Sequence, residues 1–488
     1  MRSRRKFLNT AAGTAIAALG SWPVRAIAEG AKPAPAPAKV MDVLSAYMSA
    51  ARSRALPDHV TEQAKYHLLD TIAAMISGSE LPPGQAAQRY ILEHSGSGAT
   101  TVVSSTLTAP PIDAALANGM MAHADETDDS HSESRSHPGC AVVPAALAAG
   151  EVCGIDGTGL LRAVTLGYDV GQRVVMAMGG AGFSYTSSLS THSIAGTFGA
   201  AAAAACAAGL DARQMRWVLD YTAQQSSGIV AWRRDTDHIE KAFVFAAMPA
   251  RNGVTAALLV KSGWNGVDDV LSGPDNFFAA YASGAQPDKL IEELGERYEI
   301  TRTDIKKWTV GSPIQGPLDA IEAIREMKAF EADQVKKVTV RLAPSVAAVV
   351  DNRDIPDICL QHMVAVMLMD KTVSFHAAHD KARMQDTATL EQRAKVILTR
   401  DEELAKLLPV RETVVEIEFN DGSKLSERVS AVRGTPGNPM GRNEVIDKVR
   451  ELIAPVLGRD PTTRLIEVVF DIDKLTEVRS LRRLLQRS

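Results

Sequence analysis

Residues 118–144 read NGMMAHADETDDSHSESRSHPGCAVVP. They hold His123, His131 and His137, three of the chain's eleven histidines. They also hold five carboxylates: Asp125, Glu126, Asp128, Asp129 and Glu133. Alanine-rich, helix-like sequence flanks the stretch on both sides. Burying so many charges and imidazoles requires a partner for each. The plain alternative is a solvated acidic loop on the surface. Two features oppose it. Pro138-Gly139 turns the backbone directly after His137 and fixes that imidazole at a helix entrance. The stretch also sits between two apolar helices, not at a domain edge.

Outward from this stretch, apolar spacing predicts helices over 57–77, 112–121, 140–152, 157–178, 192–209, 211–232 and 242–261. In the first, Val60, Ala64, Leu68, Ile72 and Met75 share a face, and Gly78 supplies the stop. Residues 100–104 read as extended. Gly179-Gly180-Ala181-Gly182 reads as a flexible loop without GxGxxG spacing, so no dinucleotide site is encoded. Gly196 and Gly199 within an alanine-rich helix imply close helix–helix contact. After about residue 298 the pattern changes. Val338, Val340 and Leu342 alternate with polar residues, and 413–419 does likewise before Asn420-Asp421-Gly422 turns into 424–429. That is a β-hairpin signal. Helices are expected over 317–327 and 360–369, so residues of about 300–435 form a smaller α+β unit. A Gly/Pro linker follows, and the helical remainder returns to the first block.

The chain has 488 residues, 45% of them hydrophobic, which is ample for a core of several domains. Its net charge of −5 offers no basic face for nucleic acid. Ser3-Arg4-Arg5-Lys6-Phe7-Leu8 is a twin-arginine signature, followed by a short apolar run and Ala26-Ile27-Ala28, a small-x-small cleavage pattern. Residues 1–28 are therefore expected to be a removed export signal read by the twin-arginine machinery. The mature protein is then expected in the periplasm and not in a membrane. Residues 29–40 are an extended Pro/Ala linker. The four cysteines, Cys140, Cys153, Cys206 and Cys359, have no CxxC spacing and select no disulfide.

Two lysines stand out beyond the central stretch: Lys241, opening an apolar helix, and Lys306, at the start of the α+β unit. A solvated helix end is the ordinary reading of either. A carboxylate-rich substrate reverses it, because such a ligand needs cations and imidazoles around it. A site between the two units would join the central loop, Lys241 and Lys306. The chemistry implied is proton abstraction next to a carboxylate, with an acid for the leaving group and cations for the developing charge. A different class is a metallohydrolase using His123, Asp125, Asp128, Asp129, His131 and His137, although their spacing matches no metal motif. A third is a helical binding scaffold. His376, His379, Asp380 and Arg383 form a further cluster, read as structural pairing or a dimer contact.

The sequence resembles the MmgE/PrpD family, which includes 2-methylcitrate dehydratases, cis-aconitate decarboxylases and iminodisuccinate epimerases. The resemblance covers nearly the whole mature chain. It rests on residues 55–79, on LANGMMAHADETDDSH with the following HPG, on GTFGAAAAAA (196–205) and on KAFVFAAMPARNGV (241–254). It implies a mainly α fold: a large all-helical domain (41–298), a smaller α+β lid domain (299–436) and C-terminal helices (437–488) rejoining the first. It also implies a homodimer and a reaction without metal or organic cofactor. Carried over by position, the site residues are Glu126, Ser130, His137, Lys241 and Lys306. His137 is the expected acid/base, joined by Glu126, Lys241 and Asp129. Ser130, Lys306, His131 and His192 are expected to hold a small polycarboxylate. Dehydration is the expected reaction, with decarboxylation and epimerisation sharing its first step. The family's other histidines are replaced here by Ser190, Val244, Gly311 and Gln315. His192 is the candidate substitute for one of them.

Overall fold

In the computed structural model, which describes residues 37–487, the helix Asp58–Gly78 is buried continuously from Tyr66 onward. A helix without a wet face belongs to the middle of a bundle. Around it lie Pro111–Ala122, Gly139–Cys153, Gly157–Met178, Thr191–Ala208 and the long helix Ile239–Lys261. The fold is mainly α. Small residues set the spacing. A Cβ on Gly171 would meet the Ala195 carbonyl at 2.3 Å, and one on Gly167 would meet the Gly199 carbonyl at 2.8 Å. The helices carrying them therefore touch backbone to backbone, as the glycines in the alanine-rich segment imply.

Apolar side chains gather in two separate cores. One joins residues between Val40 and Ile305 with Met440, Val445, Val449, Leu452, Leu465 and Val469 from the C-terminal helices Arg442–Leu457 and Arg459–Phe470. The other runs from Trp308 to Phe419. A two-stranded ribbon, β1 (Thr100–Thr101) with β2 (Thr108–Ala109), lies at the edge of the first. The second surrounds a four-stranded sheet of β3 (Val335–Leu342), β4 (Val396–Arg400), β5 (Thr413–Phe419) and β6 (Lys424–Val429). The order is β4-β3-β5-β6, with β3 and β4 parallel and the other pairs antiparallel. In β5 every second residue is buried, and the 420–422 turn leads straight into β6.

Several expectations change. The expected export signal lies outside the described residues. A helix, Pro37–Ala50, already begins inside the stretch read as linker, because Val40, Met41, Leu44 and Met48 give it a face to bury. The helix expected over 211–232 ends at Gln225. Gly228, at φ 106, then turns the chain, and its carbonyl accepts from the Ser190 amide at 3.0 Å. The glycine loop at 179–182 is a tight turn leading into a short helix, Gly180–Thr186. Pro317 lies inside its helix, which starts at Ser312. Ile239–Lys261 starts three residues before the expected 242 and carries a π-helical segment, Phe243–Ala247. It is long and apolar enough to cross a membrane, yet 72% of its apolar window is buried inside the protein.

Candidate active site

The chain leaves the helix Pro111–Ala122 at His123 and enters the next at Gly139. Every residue from 123 to 131 is buried. The solvated-loop alternative therefore fails, and each charge has its partner. Asp129 accepts from the Gly139 amide at 2.9 Å, pairs with His67 Nδ1 at 2.8 Å and takes the Tyr168 hydroxyl. Asp125 accepts from the Thr127 amide at 3.0 Å and from its hydroxyl. It also ion-pairs with His379 Nε2 at 2.9 Å, across from the second core. Lys448, from a C-terminal helix, reaches Asp70 at 2.6 Å and the Thr127 carbonyl at 3.0 Å.

Asp128 faces the other way. Its Oδ2 lies 2.9 Å from His123 Nδ1 and its Oδ1 lies 3.0 Å from His137 Nδ1. Burial works against this carboxylate, but the two imidazoles outweigh it and hold it well below the usual range. An ionised carboxylate only accepts, so each Nδ1 carries the proton and each Nε2 keeps its lone pair. Burial, reinforced by Lys306, keeps the His137 imidazole neutral against the pull of Asp128. His123 is pushed further in the same direction, again by burial first.

His137 forms part of the wall of a cavity of about 350 Å³ between the two cores. Glu126, Ser130, His131 and Arg135 line it from the central loop. Tyr185, His192, Trp232, Arg233, His238, Lys241 and Phe245 line it from the helical side, and Ser312, Arg353, Ile358 and Arg411 from the opposite side. Phe245, in the π-helical segment, stacks on the His192 ring at 3.7 Å and on the His123 ring at 4.5 Å. His192 stands 5.2 Å from the His137 ring, and its Nδ1 is buried without a partner. Burial, with His137 and Arg135 adding to it, holds His192 well below its ordinary value.

The Glu126 carboxylate contacts the Lys241 ammonium and lies 3.5 Å from Lys306 Nζ. Lys306 also donates to the Glu126 carbonyl at 2.8 Å and stands 3.7 Å from Asp128. Burial, then the Lys306 and Arg353 cations, pull Lys241 down to about 7 against Asp357 and Asp125. The Glu126 carboxylate in contact with it favours its charged form. Arg135 lies over the Tyr185 ring at 4.2 Å. It, Arg233 and Arg411 make no side-chain ion pair among the described residues. The cavity thus carries more cations than carboxylates.

Six of the residues singled out from sequence meet at this cavity: Glu126, Ser130, His131, His137, His192 and Lys241. His131 is tied by Ser134 at 2.8 Å and Glu299 at 3.3 Å, so its ring is held by protein on both nitrogens. Lys306 lines an adjoining cavity of about 410 Å³ that shares Ser130, Ser312 and Arg411 with the first. Asp129, expected among the reacting groups, stands behind the wall with its acceptors filled. Ser190 caps the helix Thr191–Ala208, and Gln315 spends its amide on the Trp308 and Val310 carbonyls. Sequence reading missed His238, Phe245 and the arginines. His238 lies in the turn just before Lys241, and only the two aspartates just ahead of it, Asp235 and Asp237, hinted at a built turn.

The six-residue metal set fails on geometry. Asp129, His131 and Asp125 are spent on other partners. His123, Glu126 and His238 do place donor atoms within 4.8 Å of one another. Yet Glu126 already sits against two ammonium groups, which a metal ion would have to displace. His123, Asp128 and Cys140 form a second such group. There Asp128 already binds two imidazoles, and burial pushes the Cys140 thiol well above its ordinary range.

The chain is similar to known proteins along most of its length. Residues 42–290 match the MmgE/PrpD N-terminal domain and residues 308–474 the MmgE/PrpD C-terminal domain. A cis-aconitate decarboxylase of Aspergillus terreus is 25% identical over 464 residues, covering 88% of this chain and 92% of its own. A cis-aconitate decarboxylase-like protein of Aspergillus oryzae is 25% identical over 456 residues, covering 87% and 93%. The human cis-aconitate decarboxylase is 24% identical over 452 residues, covering 88% and 91%. With both domains matched in order, and the loop that carries His137 inside the first of them, the chain belongs to the MmgE/PrpD family.

Proposed function

We propose that the chain is a lyase of a small polycarboxylate, and that it removes a proton next to a carboxylate and then expels water, as in the dehydration of a 2-methylcitrate-like hydroxy acid. One observation carries the reading. A neutral His137, oriented by the ionised Asp128, presents Nε2 to a cavity with an excess of cations. Lys241 and the unpaired arginines hold the substrate carboxylates and stabilise the charge that builds up as the C–H bond breaks. His137 takes the proton. Acid, base and cations are all side chains, so the reading calls for no cofactor. The twin-arginine stretch supports a periplasmic location, and the family supports a homodimer.

The relatives support a second reading, decarboxylation of an unsaturated tricarboxylate such as cis-aconitate. The two separate by product. The mature protein is incubated with 2-methylcitrate, citrate and cis-aconitate in deuterated water and followed by proton NMR. Water loss from a hydroxy acid supports the first reading, and carbon dioxide release from cis-aconitate the second. In either case His137→Asn should fold normally and lose turnover by at least about 100-fold. Turnover of none of these acids, with metal bound stoichiometrically to the purified protein, would return the metallohydrolase.

A further inference from the structure

His238 departs from its surroundings in three ways. Its backbone is left-handed at φ 67, a conformation uncommon for a residue other than glycine. It is 4% exposed, and neither ring nitrogen has a hydrogen-bond partner among the described residues. It lines the cavity, with Nε2 4.0 Å from Glu126. A strained backbone and an unsatisfied buried imidazole each cost stability, and together they mark a group kept for use. The turn that holds it is built deliberately. Asp235 accepts from the Asp237 and Lys241 amides at 3.1 and 2.8 Å, and Asp237 from the Ile239 amide at 3.3 Å.

We propose that His238 is the second proton carrier of the reaction, the acid that protonates the leaving hydroxyl while His137 removes the carbon-bound proton. The inference rests on the dehydration reading above. His123 neighbours both: its ring lies 5.0 Å from that of His137 and 5.2 Å from that of His238. Both carriers line the same cavity. In the first step the C–H bond breaks, its proton passes to His137 Nε2 and its electron pair is held on the adjacent carboxylate, facing the cations; in the second step that pair becomes the new C=C bond. The C–O bond breaks with its own pair, and the departing oxygen takes the proton of a protonated His238, leaving as water. Proton return from His137 to His238 through solvent closes the cycle. Lys241 is the less suited acid, because its ammonium is already engaged by Glu126.

The test uses 2-methylcitrate as the probe in deuterated water. His238→Asn and His238→Gly both tolerate the left-handed backbone and keep the turn. Melting curves establish that each is folded. Water loss should fall by about 100-fold or more. Deuterium should still enter recovered substrate at the carbon that His137 deprotonates, whereas His137→Asn should abolish both signals. Water loss within about threefold of wild type in a folded variant overturns the proposal. Loss of exchange together with turnover also overturns it, since an acid acting only on the leaving group is not needed for exchange. A wild-type protein that neither exchanges nor dehydrates the probe overturns the dehydration reading and this inference together.

Discussion

Asp128 and Asp129 are neighbours in sequence and both are fully buried, yet they belong to different regions of the molecule. Asp129 faces the helical scaffold. Its donors are the Gly139 amide at a helix start, His67 of one helix and Tyr168 of another. Asp128 faces the cavity wall, and its partners are the imidazoles of His123 and His137 with Lys306 nearby. Two carboxylates of equal burial thus do different work, decided by what donates to them. The scaffold carboxylate has every acceptor filled by fixed groups. The wall carboxylate holds groups that keep a free nitrogen of their own.

Removing each charge should separate the two regions. Asp128→Asn leaves the shape of the wall but removes the charge and leaves a single amide oxygen to accept from the Nδ1–H groups of both His123 and His137. The expected result is a fall in kcat/KM of roughly 100-fold or more with modest change in melting temperature. A variant within a few-fold of wild type would show that His137 needs no ionised partner. Asp129→Asn should do the reverse. It weakens a knot that joins three helices, at a cost of about 3 kcal/mol read by urea denaturation. Where the variant remains folded, turnover should stay within about threefold of wild type. A folded Asp129→Asn protein with turnover down a hundredfold would move Asp129 into the reacting set.

The same contrast explains what could be read in advance. The central loop was legible because its charges interrupt apolar helices, and a charge in that setting must be partnered or functional. The β5–β6 hairpin was legible from strict alternation and a glycine turn. β4 was not, because Val396 is its one buried residue and no alternation results. The helix end at Gln225 was missed because Ser226 and Ser227 do not disrupt an apolar pattern strongly; the turn depends on Gly228 and its contact with Ser190. Arg135, Arg233, Arg353 and Arg411 come from four distant segments, so their convergence exists only in the folded chain. His238 was hidden for another reason: its significance lies in a positive φ and in partners it lacks, and neither has a sequence signature.

The pair Asp125–His379 gives the finest test, because it ties the loop to the second core without entering the cavity wall. Burial works against the His379 imidazolium, but Asp125 and then Asp357 lift it to about 9. Asp125 is correspondingly held below its ordinary value, burial again opposing and His379 prevailing. The raised imidazolium stabilises the fold fully below its unfolded value near 6.5 and loses that contribution as pH rises through about 9. The depressed carboxylate adds stability above its unfolded value near 3.8 and loses it as pH falls through its lower folded value. Lys241, at about 7, acts with the opposite sign over neutral to alkaline pH, because there the unfolded chain binds the proton more readily. The wild-type curve alone therefore mixes two trends. The difference between wild type and His379→Gln isolates the pair. It should be about 2 kcal/mol at pH 6 and shrink toward zero by about pH 10. A difference that stays constant across this range would mean that His379 is held by packing and its hydrogen bond to the Phe375 carbonyl, and that the loop and the second core are joined without this charge.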